Sequence, residues 1–195
     1  ATAIASAIIL EPGRMHNVGI DTLAAGLFSS NWVFAGRATD YLQSAAAPSP
    51  LQHYWSLSLE EQFYVVWPLL LMFGSLIDRR LRKAWTVPVT IALITMGSFV
   101  ASVLLTSSEP GTSYFGLHTR AWELGLGALL AVASRRMDFS KVRLAAPIGI
   151  VAIAAIIFSG ATYAAPIDFP GWVAALPVVA TGALIVVGRR EGNIT

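Results

Sequence analysis

Two adjacent carboxylates, Glu60 and Glu61, stand at the mouth of an apolar run of membrane-spanning length. They belong to the stretch His53-Tyr-Trp-Ser-Leu-Ser-Leu-Glu-Glu-Gln-Phe-Tyr-Val-Val-Trp-Pro68. An ionisable group beside hydrocarbon is costly, so it demands a partner or a job. At helical spacing Glu60 recurs with Ser56, Tyr64 and Trp67, giving one face with an acid, a hydroxyl, a phenol and an indole. That face is too polar for lipid and could bind a ligand. Glu61 has a second explanation, because Ser58-Leu-Glu-Glu61 fits a capping box in which serine and glutamate satisfy helix-end amides.

A second constellation lies in His118-Thr-Arg-Ala-Trp-Glu-Leu-Gly-Leu-Gly-Ala128. Arg120 and Glu123, three apart, can pair along a helix. Alternatively Arg120 faces inward to hold a carboxylate, a phosphate or a sugar hydroxyl, with Glu60 opposite. Gly125 and Gly127 suit close helix contact. Histidine is a residue type suited to proton transfer near neutral pH, so His53 and His118 could shuttle protons or simply sit solvated at an interface. Asp168, in the turn-rich Pro166-Ile-Asp-Phe-Pro-Gly171, reads as a solvated turn residue.

Other chemistries are excluded. Cysteine is absent, which removes disulfides and thiolate catalysis. Neither HxxxH nor HExxH occurs, so no metal site is expected, and there is no phosphate-binding glycine loop or GxSxG. A net charge of +2 without a basic, aromatic-interleaved stripe gives nucleic acid nothing to bind.

The elements that must position these residues are membrane helices. Only 12% of the chain is charged and 55% is apolar, whereas soluble domains carry roughly 25% charged residues. A span needs about 20 mainly apolar residues, and five segments meet or approach that: 56–77, 84–106, 116–134, 144–163 and 172–188. The first ten residues read as the end of a sixth. Residues 18–36, interrupted by Asp21, Ser29, Ser30 and Asn31, read as an interfacial or re-entrant element, and 37–54 as an external loop. Pro68 falls inside the first full span, where it bends the helix either for packing or to widen a cavity. The fold class is thus an all-α, polytopic transmembrane bundle lying in the lipid bilayer. Both ends read as cut, making residues 1–195 an internal fragment of one larger transmembrane domain.

Ten of the thirteen Lys and Arg residues fall in alternate loops: Arg79, Arg80, Arg82 and Lys83; Arg135, Arg136, Lys141 and Arg143; Arg189 and Arg190. The intervening loops, 107–115 and 164–171, hold none. The positive-inside rule makes the basic loops (78–83 and 135–143) cytoplasmic. Glu60, Glu61, Arg120 and Asp168 then share the extracytoplasmic side.

The Trp-Ser-Leu-Ser-Leu-Glu-Glu-Gln-Phe-Tyr string resembles the hallmark of the acyltransferase 3 family of integral membrane O-acyltransferases. Ser30-Asn31-Trp32, Thr119-Arg-Ala-Trp-Glu-Leu-Gly-Leu-Gly-Ala-Leu-Leu-Ala131 and Phe169-Pro-Gly…Leu176-Pro177 match it in order and spacing. The resemblance implies a bundle of about ten spans in the bacterial inner membrane. It would move an acyl group, often acetyl, from a cytoplasmic donor such as acyl-CoA to a hydroxyl of an extracytoplasmic glycan. Lipopolysaccharide, peptidoglycan and exopolysaccharide are typical acceptors. No tightly bound cofactor is implied. The later segments look most like members carrying a soluble SGNH hydrolase-like domain after the membrane part. The family's catalytic histidine and donor-binding arginines lie in segments that nothing here matches, and His16 and Arg14 follow the wrong run. The resemblance therefore leaves Glu60 and Arg120 as supporting catalytic residues, and His53, Ser56, Glu61, Tyr64 and Glu123 as substrate-binding candidates. A transporter, or a purely structural scaffold held by a Glu60–Arg120 pair, is the competing reading.

Overall fold

The computed structural model describes residues 2–39, 48–82, 85–135, 144–163 and 168–188, and among these every regular element is a helix. In chain order they are α1 (Thr2–Ile9), α2 (Pro12–Gly26), α3 (Ser30–Thr39), α4 (Tyr54–Leu81), α5 (Thr86–Leu105), α6 (Pro110–Phe115), α7 (Leu117–Ala133), α8 (Ala145–Thr162) and α9 (Ala175–Gly188). α5 and α8 are long and apolar enough to cross a membrane, and α9 is a shorter apolar helix. Each of the five spans expected from the sequence corresponds to one helix, α4, α5, α7, α8 or α9. Lys83, Arg136, Lys141, Arg143, Arg189, Arg190 and part of the 164–171 loop lie outside the described residues.

α4 packs on α5, α5 on α7, α7 on α9 and α9 on α8, so the long helices form a row. Large apolar side chains stand exposed along it, among them Phe73 on α4, Leu93 on α5 and Ile150 on α8. Such faces suit hydrocarbon or further helices rather than water. Beside Leu59, Ile91 and Trp122, much of what is buried inside the row is small and polar. Thr95 and Ser98 of α5 meet α7, where Gly125 is buried so closely that a Cβ would collide with the Thr95 side chain. Small residues at such a seam let helix backbones approach, as bilayer helices require.

Three expectations are corrected, and a fourth segment, 18–36, is broken in two. Ser58 does not open a capping box, because α4 already begins at Tyr54. One turn inside the helix, its hydroxyl donates to Tyr54 O (3.0 Å) and accepts from the Ser30 amide (3.3 Å). The 107–115 loop contains α6, started by Pro110 in the first turn, where its missing N–H costs nothing. Gly127 packs against nothing: no atom lies within 4 Å of where its Cβ would be. No single helix runs through 18–36, since α2 ends at Gly26 and α3 starts at Ser30. Phe28, at φ 51°, makes the break between them.

At the far end of α4, Asp78 caps α5, its carboxylate accepting from the amides of Thr86 (2.9 Å) and Val87 (3.4 Å). Hydrogen bonding by the Thr86 side chain, supported by nearby amides and opposed by desolvation, holds this carboxyl below the ordinary aspartate range. A depressed folded-state pKa gives stability that is present above the unfolded value and lost as pH falls through the folded one. The Asp78→Asn protein should therefore melt lower than the native chain at neutral pH. The gap should close on acidification below about pH 4, as thermal unfolding at a series of pH values would record.

Candidate functional site

The site is assembled at the end of the bundle where α7 begins. Thr119, fully buried, donates its hydroxyl to Ser113 O (2.7 Å) and Gly116 O (3.0 Å), tying the first turn of α7 back to α6. The Trp122 amide donates to Ser98 Oγ (3.0 Å), which sets α7 against α5. The Thr106 hydroxyl, at the end of α5, donates to Ser102 O (2.6 Å), accepts from the Gly171 amide (2.9 Å) and lies 2.8 Å from Ser113 Oγ. One buried hydroxyl thus pins the 168–171 loop, α5 and α6 together. Tyr163 donates to Val173 O (2.8 Å), so the end of α8 is drawn to the same place.

This scaffold puts three aromatic rings around one cation. The Arg120 guanidinium carbon lies 5.2 Å from the ring centre of Phe169, 5.5 Å from Trp55 and 5.8 Å from Tyr114. Desolvated cation–π contacts are worth up to about 2 kcal/mol each. Trp55 and Tyr114 are themselves fixed, packing on each other and on Phe115 in the cluster with Phe34 and Ala35. Arg120 also pairs with Glu123, Nε to Oε1 at 3.0 Å, with side-chain exposures of only 15% and 22%. The contact is Coulombic rather than an aligned hydrogen bond. Glu123 Oε1 and Arg120 Nη1 are both left buried without a hydrogen-bond partner. Arg120 and Glu123 head a cavity of about 320 Å³ between α7 and α9, walled by Leu126, Leu130, Val178 and Ile185 and opened by Gly127.

Arg120 Nη1 is thus a buried donor with an unmet demand, and an unpaired group of this kind costs roughly 1–3 kcal/mol, or more when charged. A ligand oxygen entering the cavity could satisfy Arg120 Nη1. The pairing of Arg120 with Glu123 anticipated from their spacing is present, and Arg120 is turned inward as well. Among the described residues no hydrogen bond or ion pair joins it to Glu60, which is exposed on α4. Ser56 and Tyr64 are exposed likewise, and Glu61 is half-buried. Ser56 Oγ donates to His53 O (3.4 Å), and His53, just before α4, packs its ring on Tyr54. His118 stacks on Trp32 with ring centres 6.5 Å apart, and Asp168 is exposed.

Sequence reasoning passed over Trp55, Tyr114 and Phe169 as a group. Their signal was present in part, since Trp55 and Phe169 both lie in the quoted motifs. It also passed over Gln62, whose amide nitrogen reaches Asn31 Oδ1 (2.8 Å) and Phe28 O (2.7 Å). Asn31 is fully buried and donates to Phe115 O (3.3 Å). The signature on α4 therefore braces the α2–α3 break through Gln62 and Ser58, and the cage through Trp55.

The family model described as "Acyltransferase domain" matches residues 19–195. YrhL of Bacillus subtilis (strain 168), provisionally named a peptidoglycan O-acetyltransferase, is 33% identical over 138 residues, 70% of this chain and 22% of its own length. The peptidoglycan O-acetyltransferase OatA of Listeria monocytogenes is 29% identical over 124 residues, covering 64% of this chain and 20% of that protein. The O-acetyltransferase OatA of Staphylococcus aureus (strain NCTC 8325) is 34% identical over 125 residues, with coverages of 64% and 20%. The matched region is thus about a fifth of the length of each of these relatives. No solved structure matches. With the family model covering nearly all of the chain, and its motifs building the caged arginine, the chain belongs to the acyltransferase 3 family.

Proposed function

We propose that this chain forms the acceptor-side wall of a membrane O-acyltransferase that moves an acyl group, most simply acetyl, onto a hydroxyl of an extracytoplasmic glycan. Peptidoglycan is the acceptor class named for its relatives. The observation that carries the reading is the unpartnered, buried Arg120 Nη1 at the head of the α7–α9 cavity. In acyl transfer the acceptor oxygen attacks the donor carbonyl, a base removes the hydroxyl proton, and the leaving group departs with its bonding electrons. A fixed N–H aimed at the developing oxyanion, or at the acceptor hydroxyl, is the electrostatic help this step needs. Arg120 supplies that donor, Glu123 and the three rings hold its plane, and Glu60 with Ser56 and Tyr64 borders the acceptor path. Acyl-CoA is the donor, and the base is the family's histidine.

Sidedness supports the assignment. Arg79, Arg80 and Arg82 close α4 and Arg135 follows α7, at the opposite ends of those helices from Trp55 and Arg120. With the basic ends cytoplasmic in the inner membrane, the cage faces outward. The test is complementation of a deletion strain with the full-length protein, read by mass analysis of the cell-wall glycan. Native protein should restore O-acetyl groups and Glu60→Gln should restore fewer at equal protein level. Unchanged glycan in the deletion strain would overturn the assignment.

A further inference from the structure

α7 and α9 lie side by side and run in the same direction. Arg120, near the start of α7, faces Phe169 just ahead of α9, and a Cβ on Gly182 would meet Leu126 and Leu130 further along. The cavity between them is therefore a trench. From Arg120 to Leu130 it follows α7 for about 15 Å at the helical rise. Beyond Glu123 its walls are aliphatic except for Thr181, whose hydroxyl is already spent on Pro177 O (2.8 Å). Its floor is kept low by Gly127 and Gly182. An acetyl group would occupy only the mouth of such a space.

The head of the trench has a different chemistry from its length. Arg120 and Glu123 neutralise each other, so the pair offers no net charge to attract a phosphate or carboxylate. It offers instead one buried donor without a partner, Arg120 Nη1, beside Glu123 Oε1, a buried acceptor whose contact is the 3.0 Å ion pair with Arg120 Nε and which accepts no hydrogen bond. A neutral group that accepts and donates at once satisfies both, and a hydroxyl is the smallest that does.

We propose that the α7–α9 trench is a hydrocarbon subsite. It takes the apolar chain of an amphiphile whose hydroxyl-bearing sugar head sits on the Arg120–Glu123 pair, so that the acceptor is presented on a lipid anchor. This rests on the acyltransferase reading for the identity of the head as an acceptor. The trench itself stands on shape and on the two buried atoms, Arg120 Nη1 and Glu123 Oε1, that lack a hydrogen bond.

The experiment uses the full-length protein in membranes and dodecyl glucoside carrying a photoreactive diazirine at the chain end. Labelled peptides should map to α7 and α9 around Leu130 and Ile185. Unlabelled dodecyl glucoside should compete, whereas glucose and phosphatidylglycerol should not. Gly127→Leu, which places a side chain where nothing now stands, should abolish labelling, and Thr181→Leu should reduce it. Glu123→Gln should weaken competition about tenfold, the loss expected for a hydrogen bond to a charged group. Equal competition by phosphatidylglycerol would mean that bulk lipid fills the trench and would overturn the proposal, as would normal labelling of both leucine variants. Absent labelling in a protein that still transfers acyl groups would remove the trench and leave the acyltransferase reading. Labelling intact in a protein that transfers none would do the reverse.

Discussion

Replacing Arg120 with alanine in the full-length protein should lower acyl transfer by about 10²–10³-fold, the loss typical of removing one oxyanion-stabilising donor. Lysine should not restore it. An ammonium keeps the charge but lacks the flat fork that stacks on Phe169, Trp55 and Tyr114 and presents Nη1 to the cavity. The substitution also strands Glu123 in a mostly buried position, at a cost of about 3 kcal/mol in folding. Activity must therefore be normalised to folded protein. The paired change Arg120→Leu with Glu123→Leu should recover the unfolding midpoint without recovering transfer, because apolar replacement of a buried ion pair is close to neutral for stability. If that double variant transfers acyl groups normally, the pair is scaffold and nothing more.

The second large effect is expected at a different ion pair, between α2 and α3. Asp21 of α2 is 1% exposed and faces Arg37 of α3, Nη2 to Oδ1 at 2.7 Å, with Ser49 donating to the other carboxylate oxygen. This knot fastens α2, α3 and the approach to α4, and Arg14 adds a bond to Pro48 O (3.1 Å). Arg37→Met should destabilise the protein by about 3–5 kcal/mol, since it leaves a buried carboxylate without its counter-charge. Thermal unfolding in detergent would measure this, and a shift indistinguishable from zero would show that water reaches Asp21. Asp21→Leu combined with Arg37→Leu should recover most of the loss.

Much of the architecture was legible because hydrophobic length and charge placement are written directly into the residues. The runs that became α5 and α8 carry no charge at all and could be little else in a bilayer. Legibility failed where tertiary contacts override local grammar. Ser58-Leu-Glu-Glu61 has the form of a helix start, yet Tyr54, four residues before it, already continues from the Leu51–His53 turn into α4. α6 was hidden because six residues carry no periodicity to detect, and it is secured by Thr119 and Thr106 from outside itself. The candidate site was half legible. Arg120 and Glu123 could be paired from spacing alone, since i and i+3 are neighbours on any helix. That Trp55, Tyr114 and Phe169 converge on the same guanidinium depends on three chain segments meeting, and no local pattern encodes such a meeting. Glu60 drew attention for its cost beside hydrocarbon, but the described contacts of the cage run through Trp55, five residues earlier.

The Thr106–Gly171 hydrogen bond joins positions 65 residues apart. Chains emerge from the ribosome amino end first, and distant contacts carry a loop-closure penalty. The amide of Gly171 can dock on Thr106 only after α5 has turned into α6 and α7, and after α8 has been threaded and returned. Phe169, next but one to Gly171, closes over Arg120 in that same event. Biogenesis therefore runs in a fixed order, with the seam of α5 and α7 made early and the arginine roofed last. A chain halted or misinserted at α8 would leave the guanidinium against Trp55 and Tyr114 without its third ring, so closure by Phe169 doubles as a report that the helices from α5 to α8 have found their places.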